Sequence, residues 1–204
     1  MNRVSARVQV PNDEREKTHQ KEDDVPVEEQ QQHEEEPKGD YLDVPSRPFL
    51  MKILRRQGDT QVLFADKVLK FTSSGKMRRR ILIITDFAVY LIDPLTDGLK
   101  RRIALAAVDK LCMSDLNDNF FSIVIPTEYD LLLASTRKAE IATLLYEAIK
   151  ASAQYELEVS FSNSFEYNAT ADMIKEVLFE EVEGGVRTRI VMKKSESATR
   201  ILSR

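Results

Sequence analysis

The chain has 204 residues, enough for one domain of ordinary size plus appendages, and its 42% hydrophobic content can fill one core. A net charge of −4 hides a division: residues 1–48 carry 13 acids against 7 bases, and residues 49–204 carry 23 bases against 21 acids. A lone cysteine, Cys112, excludes an internal disulfide framework and a cysteine metal cluster, and no apolar run approaches the roughly 20 residues of a membrane-spanning helix.

Residues 1–48 include Glu28-Glu29-Gln30-Gln31-Gln32 and Glu34-Glu35-Glu36, with almost no aromatic residues. Such a stretch buries too little apolar area to offset chain entropy, so it is read as a disordered acidic tail. Met1-Asn2-Arg3-Val4 lacks an apolar signal core and a glycine for myristoylation, and Ile201-Leu202-Ser203-Arg204 is no prenylation box. The expectation is a soluble cytoplasmic protein, peripheral at the cytoplasmic face of membranes or associated with the cytoskeleton. Pro45 and Pro48 punctuate the passage into a domain over residues 49–204.

Short apolar runs then recur about every ten residues, with turn signals between them, which predicts an antiparallel sheet closing into a barrel or sandwich. Strands are expected at residues 62–64 leading into 67–71, then 81–85, 88–92, 100–105, 111–114, 120–125 and 130–133. Turns fall at Ser73-Ser74-Gly75-Lys76, Asp93-Pro94 and Asp97-Gly98. Over residues 136–154, Ile141, Leu144, Leu145, Ala148 and Ile149 form the i, i+3, i+4, i+7, i+8 stripe of an amphipathic helix, with Ser135 as its N-cap. About seven strands and one helix is the element order of a pleckstrin-homology-like barrel, here over about residues 60–154.

Residues 155–161 alternate like a half-buried strand, and 177–182 and 187–193 read similarly around Gly184-Gly185. They predict a small C-terminal β extension over about residues 155–193. The fold class is therefore mainly β with one C-terminal barrel helix. Residues 81–84 are apolar on both faces, so the C-terminal strands are expected to cover the outer one.

The stretch KFTSSGKMRRRILIITD, residues 70–86, sets cations directly before that apolar run. On a strand, Arg78 and Arg80 point to one side and Arg79 to the other, and Lys70 ends the preceding strand across the hairpin. A lysine and an Arg-x-Arg pair thus converge on one concave spot, with Lys76 in the turn. Arginine brings bidentate donors that suit phosphate, and lysine a point charge. Lys100, Arg101 and Arg102 form a secondary basic patch that would extend the positive surface. On these residues alone, a solvated charged turn with no ligand stays open as the opposing reading.

Other chemistries find less support. Gly75-Lys76 is no nucleotide loop, since Lys70 stands where that motif needs glycine and Met77 where it needs Ser or Thr. A domain balance of only +2 and the lack of an exposed aromatic-rich motif argue against nucleic acid. His19 and His33 both lie in the tail, and Cys112 sits in an apolar run as a small core residue. Asp115, Asp118 and Glu128 are scattered turn acids. No catalytic residue, cofactor or metal is expected. Asp118-Asn119-Phe120-Phe121 reads as core packing, with the two rings on opposite faces.

The pieces VLFADKVLKF, RRILIITDFAVYLID, LKRRIAL, SDLNDNFFSIVI, YDLLLAS and RKAEIATLL resemble the tail homology 1 domain of class I myosins. Further on, LEVSFSNSFEY is similar to the segment after the helix in that family. The resemblance implies a pleckstrin-homology-like barrel with extra C-terminal β structure that binds anionic phospholipids, phosphoinositides included. The family's signature is a lysine in the first barrel strand, a variable loop, then a basic residue, any residue and an arginine. It falls on Lys70, Arg78 and Arg80, with Lys76 in the loop and Arg79 between the pair. The expected function is a stand-alone, non-enzymatic module without a motor, an adaptor linking an anionic phospholipid membrane to the cytoskeleton or a protein complex. At about 1 kcal/mol per cation near an anionic leaflet, four or five cations give roughly millimolar to high micromolar binding. A protein-interaction or cytoskeletal scaffold module on the same fold, with no lipid role, is the alternative.

Overall fold

A computed structural model describes residues 39–153 and 155–193. Among them the elements run α1 (Pro48–Gln57), β1 (Val62–Phe71), β2 (Met77–Thr85), β3 (Ala88–Asp93), β4 (Gly98–Ala104), β5 (Lys110–Met113), β6 (Phe120–Val124) and β7 (Leu131–Ala134). After these come α2 (Lys138–Ala153), β8 (Glu158–Phe161), β9 (Ser164–Thr170), β10 (Met173–Val182) and β11 (Gly185–Met192). One sheet has the order β4-β3-β2-β1-β7-β6-β5-β8 and a second has the order β11-β10-β9.

The larger sheet curls around a single core. Val68, Leu82, Leu91 and Ile103 from β1 to β4 meet Leu111, Phe121, Ile123 and Leu133 from β5 to β7, and α2 adds Ile141, Leu145 and Ile149. The strands β1 to β7 lie where the apolar spacing puts them, and α2 presents the expected stripe. The Ser135 hydroxyl accepts the Arg137 N–H at 3.1 Å, at the entrance to α2. The chain is mainly β, a pleckstrin-homology-like barrel with a small second sheet.

Strand β2 shows why a barrel alone is not enough. Every residue from Ile81 to Thr85 is buried. Leu82 and Ile84 face the interior, whereas Ile81 and Ile83 join Ala65, Tyr90 and Ile92 in a separate cluster outside it. Leu50 and Leu54, one turn apart on α1, close that cluster together with Leu42 and Val44. The outer face is therefore covered from the N-terminal side, not by the C-terminal strands as the sequence suggests. The second sheet instead covers the next strands around the barrel, where Phe165, Tyr167, Val177 and Phe179 join Cys112 and Leu132, with Phe71 and Phe120 packed alongside. Phe120 and Phe121 accordingly serve two cores on opposite faces of β6.

Two further boundaries differ from expectation. Residues 39–47, read from sequence as tail, belong to the domain. The Tyr41 N–H donates to the Ala65 carbonyl at 2.8 Å, the Ala65 N–H donates to Gly39 at 2.9 Å, and the Asp40 carboxylate accepts the Leu42 and Val44 N–H groups. At Gly39 φ is 62°, and a Cβ would stand 2.2 Å from the Leu63 oxygen, so only glycine fits. The disorder expected for residues 1–38 lies outside the described residues. Meanwhile β8 pairs in parallel with β5 in the barrel sheet instead of joining the second layer.

Helix α1 starts at Pro48 and is closed by Gly58 at φ 82°, whose N–H donates to the Arg55 carbonyl. Just beyond, buried Asp59 accepts hydrogen bonds from the Tyr90 hydroxyl and from Arg102 at 3.1 Å, fastening the helix end to β3 and β4. Burial, then the bond to Asp59, pushes the Tyr90 phenol up to about 12, and burial alone does the same to Tyr167.

Two outcomes follow from this packing. Leu54→Ala should cost about 2–5 kcal/mol in a denaturant titration, the range for truncating a fully buried leucine, while Lys52→Ala on the exposed side stays within about 0.5 kcal/mol. Equal effects would show that α1 does not carry the outer face. For Tyr90 and Tyr167 the folded value lies above the ordinary 10, so their contribution is whole below pH 10 and is lost as pH rises towards 12. Alkaline unfolding followed by circular dichroism should begin in that window, with tyrosinate absorbance rising together with the loss of fold.

Candidate anion-binding site

Antiparallel pairing sets the β1–β2, β3–β4 and β6–β7 connections at one end of the barrel, with the start of α2 towards the other. At that mouth the core pattern gives way to charge. Lys70 and Arg78 are direct cross-strand partners, and Arg80 stands opposite Val68, a core residue. Lys70, Arg78 and Arg80 therefore share the interior side of the wall, as period-two alternation predicts. The connecting turn is closed by the Gly75 N–H on the Thr72 carbonyl and by the Thr72 N–H on the Lys76 carbonyl, each at 2.9 Å. Gly75 takes φ 81° there, a conformation that favours glycine. Lys76, Arg78 and Arg79 are exposed and, among the described residues, make no ion pair.

Lys70 is half-buried, with its ammonium 5.3 Å from the centre of the Tyr129 ring. Arg101 stacks on the same ring at 4.0 Å, and it is clamped by the Glu128 carboxylate at 2.8 Å and by the Tyr129 carbonyl at 2.6 Å. One Arg101 nitrogen, Nη1, is buried without a hydrogen-bond partner. Burial first, then the like charges of Arg101 and Arg80, hold the Lys70 ammonium below its ordinary pKa. An anion placed among these groups would favour the charged form of Lys70 and offset the repulsion from Arg101 and Arg80.

The neighbouring cations divide by strand parity. Arg79 points outward beside Leu69, and with Met77, Arg78, Arg80, Asp93 and Leu95 it lines an open cavity of about 590 Å³. Arg80 pairs with Asp93 at 3.5 Å, and Lys100 reaches the same carboxylate at 3.6 Å. The Leu95 N–H bond holds Asp93 below the usual carboxylate range, against the opposing effect of burial. The run Lys100-Arg101-Arg102 is therefore no separate patch. Lys100 goes to Asp93, Arg102 turns outward to the Tyr90 hydroxyl and Asp59, and Arg101 joins the mouth. Arg101 shares a strand side with the core residue Ile103, and that parity is the signal by which a sequence reading could have placed it there.

The second sheet braces two connections of this mouth. Buried Lys175 on β10 donates to the Ser73 carbonyl at 2.6 Å, across from the β1–β2 turn. Buried Asp130 accepts the Ile125 N–H at 2.9 Å and the Asn168 N–H at 2.6 Å, tying the β6–β7 connection to β9. Elsewhere Asp118 serves its turn, accepting the Phe120 N–H at 2.6 Å, and burial pushes the Cys112 thiol up, away from nucleophilic character. Lys175→Met should therefore speed amide hydrogen exchange at Gly75 and Lys76 while leaving β3 amides unchanged. Unaltered exchange in the turn would show that Lys175 does not hold it.

The family model described as "Unconventional myosin tail, actin- and lipid-binding" matches residues 35–201. Myosin heavy chain IB of Acanthamoeba castellanii is 30% identical over 168 residues, which cover 78% of this chain and 13% of that protein. Unconventional myosin-Ia of Mus musculus is 28% identical over 167 residues, covering 78% of this chain and 16% of that protein. The chain thus spans only a small part of the length of these relatives. Among solved structures, the C-terminal PH domain of human pleckstrin aligns at a TM-score of 0.38 and 18% identity, covering 46% of this chain and 80% of its own. The PH domain of human oxysterol binding protein-related protein 11 aligns at 0.39 and 11%, covering 44% and 82%. With the family model spanning both sheets and both helices, the chain belongs to the unconventional myosin tail family, the tail homology 1 domain of class I myosins.

Proposed function

We infer that this chain is a peripheral membrane-binding module that takes anionic phospholipids, phosphoinositides among them, at the barrel mouth. The observation that carries the reading is the convergence of Lys70, Arg78, Arg80 and Arg101 on the interior side of one rim, with Lys70 destabilised as a cation by burial and by its neighbours. Phosphate oxygens suit the arginine forks and supply Lys70 and Arg78 with a counter-charge that, among the described residues, no carboxylate gives them. Lys76 and Arg79 widen the positive rim. Asp93 occupies part of Arg80 and so limits affinity. Among the described residues no helix is long and apolar enough to cross a membrane, which fits a surface contact.

The family is described as binding both actin and lipid. On this reading the module is an adaptor that holds a membrane on one side and a cytoskeletal or scaffold protein on the other, at the cytoplasmic face. Arg78→Ala/Arg80→Ala should weaken sedimentation with vesicles containing phosphatidylinositol bisphosphate by about tenfold to thirtyfold, two contacts at about 1 kcal/mol each. Binding of the parent chain should also fall as salt is raised from 0.1 to 0.5 M, about the point where the screening length drops below 5 Å. A double variant that binds such vesicles as well as the parent overturns the assignment.

A further inference from the structure

The mouth carries a second kind of chemistry beside its cations. Leu95 is 93% exposed and Met77 is 61% exposed, and they come from two different connections, β3–β4 and the end of β1–β2. Both line the same open cavity as Arg78, Arg79 and Arg80. Tyr129, on the β6–β7 connection at the same end, is 39% exposed while its ring supports Lys70 and Arg101.

Single exposed apolar residues are ordinary on protein surfaces. Phe87 is one, and it sits in the β2–β3 turn at the opposite end of the barrel, away from the cations. What distinguishes Leu95 and Met77 is that they flank a cation cluster and are held in place there. The Leu95 N–H donates to Asp93 Oδ1 at 3.1 Å, and the same carboxylate binds Arg80 and Lys100. The turn continues through Asp97 at φ 51° into Gly98. The leucine is thus presented beside the arginines by an ordered turn. Met77 begins β2 opposite Phe71, on the outward side of the strand that carries Arg79.

We propose that Met77 and Leu95 enter the bilayer when the module docks, passing between headgroups whose phosphates sit on Lys70, Arg78 and Arg80. This deepens the lipid reading above and rests on it. A free inositol phosphate or nucleotide offers nothing apolar for these tips. A bilayer presents hydrocarbon about 5–10 Å below its phosphates, the depth at which interfacial apolar side chains settle. Tyr129 then lies at the headgroup level, where amphipathic rings are favoured. Electrostatic attraction and buried apolar area then add in the binding to an anionic interface.

The chain contains no tryptophan, so Leu95→Trp in the 204-residue chain gives a single reporter at the tip. Vesicles of phosphatidylcholine with phosphatidylinositol bisphosphate should shift its emission to the blue, and acyl-chain bromination of the lipid should quench it. In parallel, Met77→Ser/Leu95→Ser should lower binding to the same vesicles by roughly tenfold or more, through lost apolar burial, with the thermal unfolding midpoint unchanged. If Leu95→Trp protein sediments with vesicles but its emission stays solvent-like and unquenched, the insertion is overturned and the lipid site stands. If the parent chain does not bind the vesicles at all, both readings fall. Loss of sedimentation with actin filaments, and not with vesicles, in the double serine variant would assign the tips to a protein surface and overturn the proposal.

Discussion

A wall strand that is apolar on both faces imposes the main constraint on this molecule. Ile81 to Thr85 are all buried, yet a barrel hides only the side that looks inward. Each outward side must meet something else, because leaving such residues in water forfeits about 1.5–3 kcal/mol apiece. Two coverings answer this: α1 with Leu42 and Val44 over β2 and β3, and the β9–β11 sheet over β6 and β7. Each is fastened by a buried carboxylate that bonds across the seam. Asp59 joins the end of α1 to Tyr90 and Arg102, and Asp130 joins β7 to Asn168. A buried charge is tolerable only when it is bonded in this way, so the seams also fix the register of the coverings.

The candidate site is the place where that apolar wall stops. Along β2 the first three residues are exposed and the last five are buried, so the arginines stand on a strand whose other half is locked in two cores. A rigid strand can hold like charges near one another, whereas a mobile loop would let them move apart. Burial first, and then the like charges held nearby on Arg101 and Arg80, keep the Lys70 ammonium below its ordinary pKa. Because Lys175 and Asp130 connect the second sheet to the β1–β2 and β6–β7 connections, the C-terminal extension and the mouth form one mechanical unit. The extension is therefore part of how the rim keeps its shape.

What the sequence by itself determined follows from local periodicity. Recurring apolar runs between turn signals located the barrel strands, the 3.6-residue stripe located α2, and parity put Lys70, Arg78 and Arg80 on one side and Arg79 on the other. These are properties of neighbouring residues, and no distant contact is needed to settle them. Cys112 and the Phe120-Phe121 pair were legible for the same reason. Tertiary structure alone decided which segment covers which apolar face. Any stripe of suitable area satisfies an outward-facing Ile81 or Ile83, and the ten-residue α1 wins because the backbone bonds of Gly39 and Tyr41 to Ala65 and the side chain of Asp59 anchor its two flanks beside β1 and β3. It also decided how the cations at 100–102 divide. That division depends on the register of β4 against β3, which carries an irregularity between Leu91 and Ile92, and on where Tyr129 and Asp59 lie. Long-range pairing sets such positions, and a short charged run carries no trace of it.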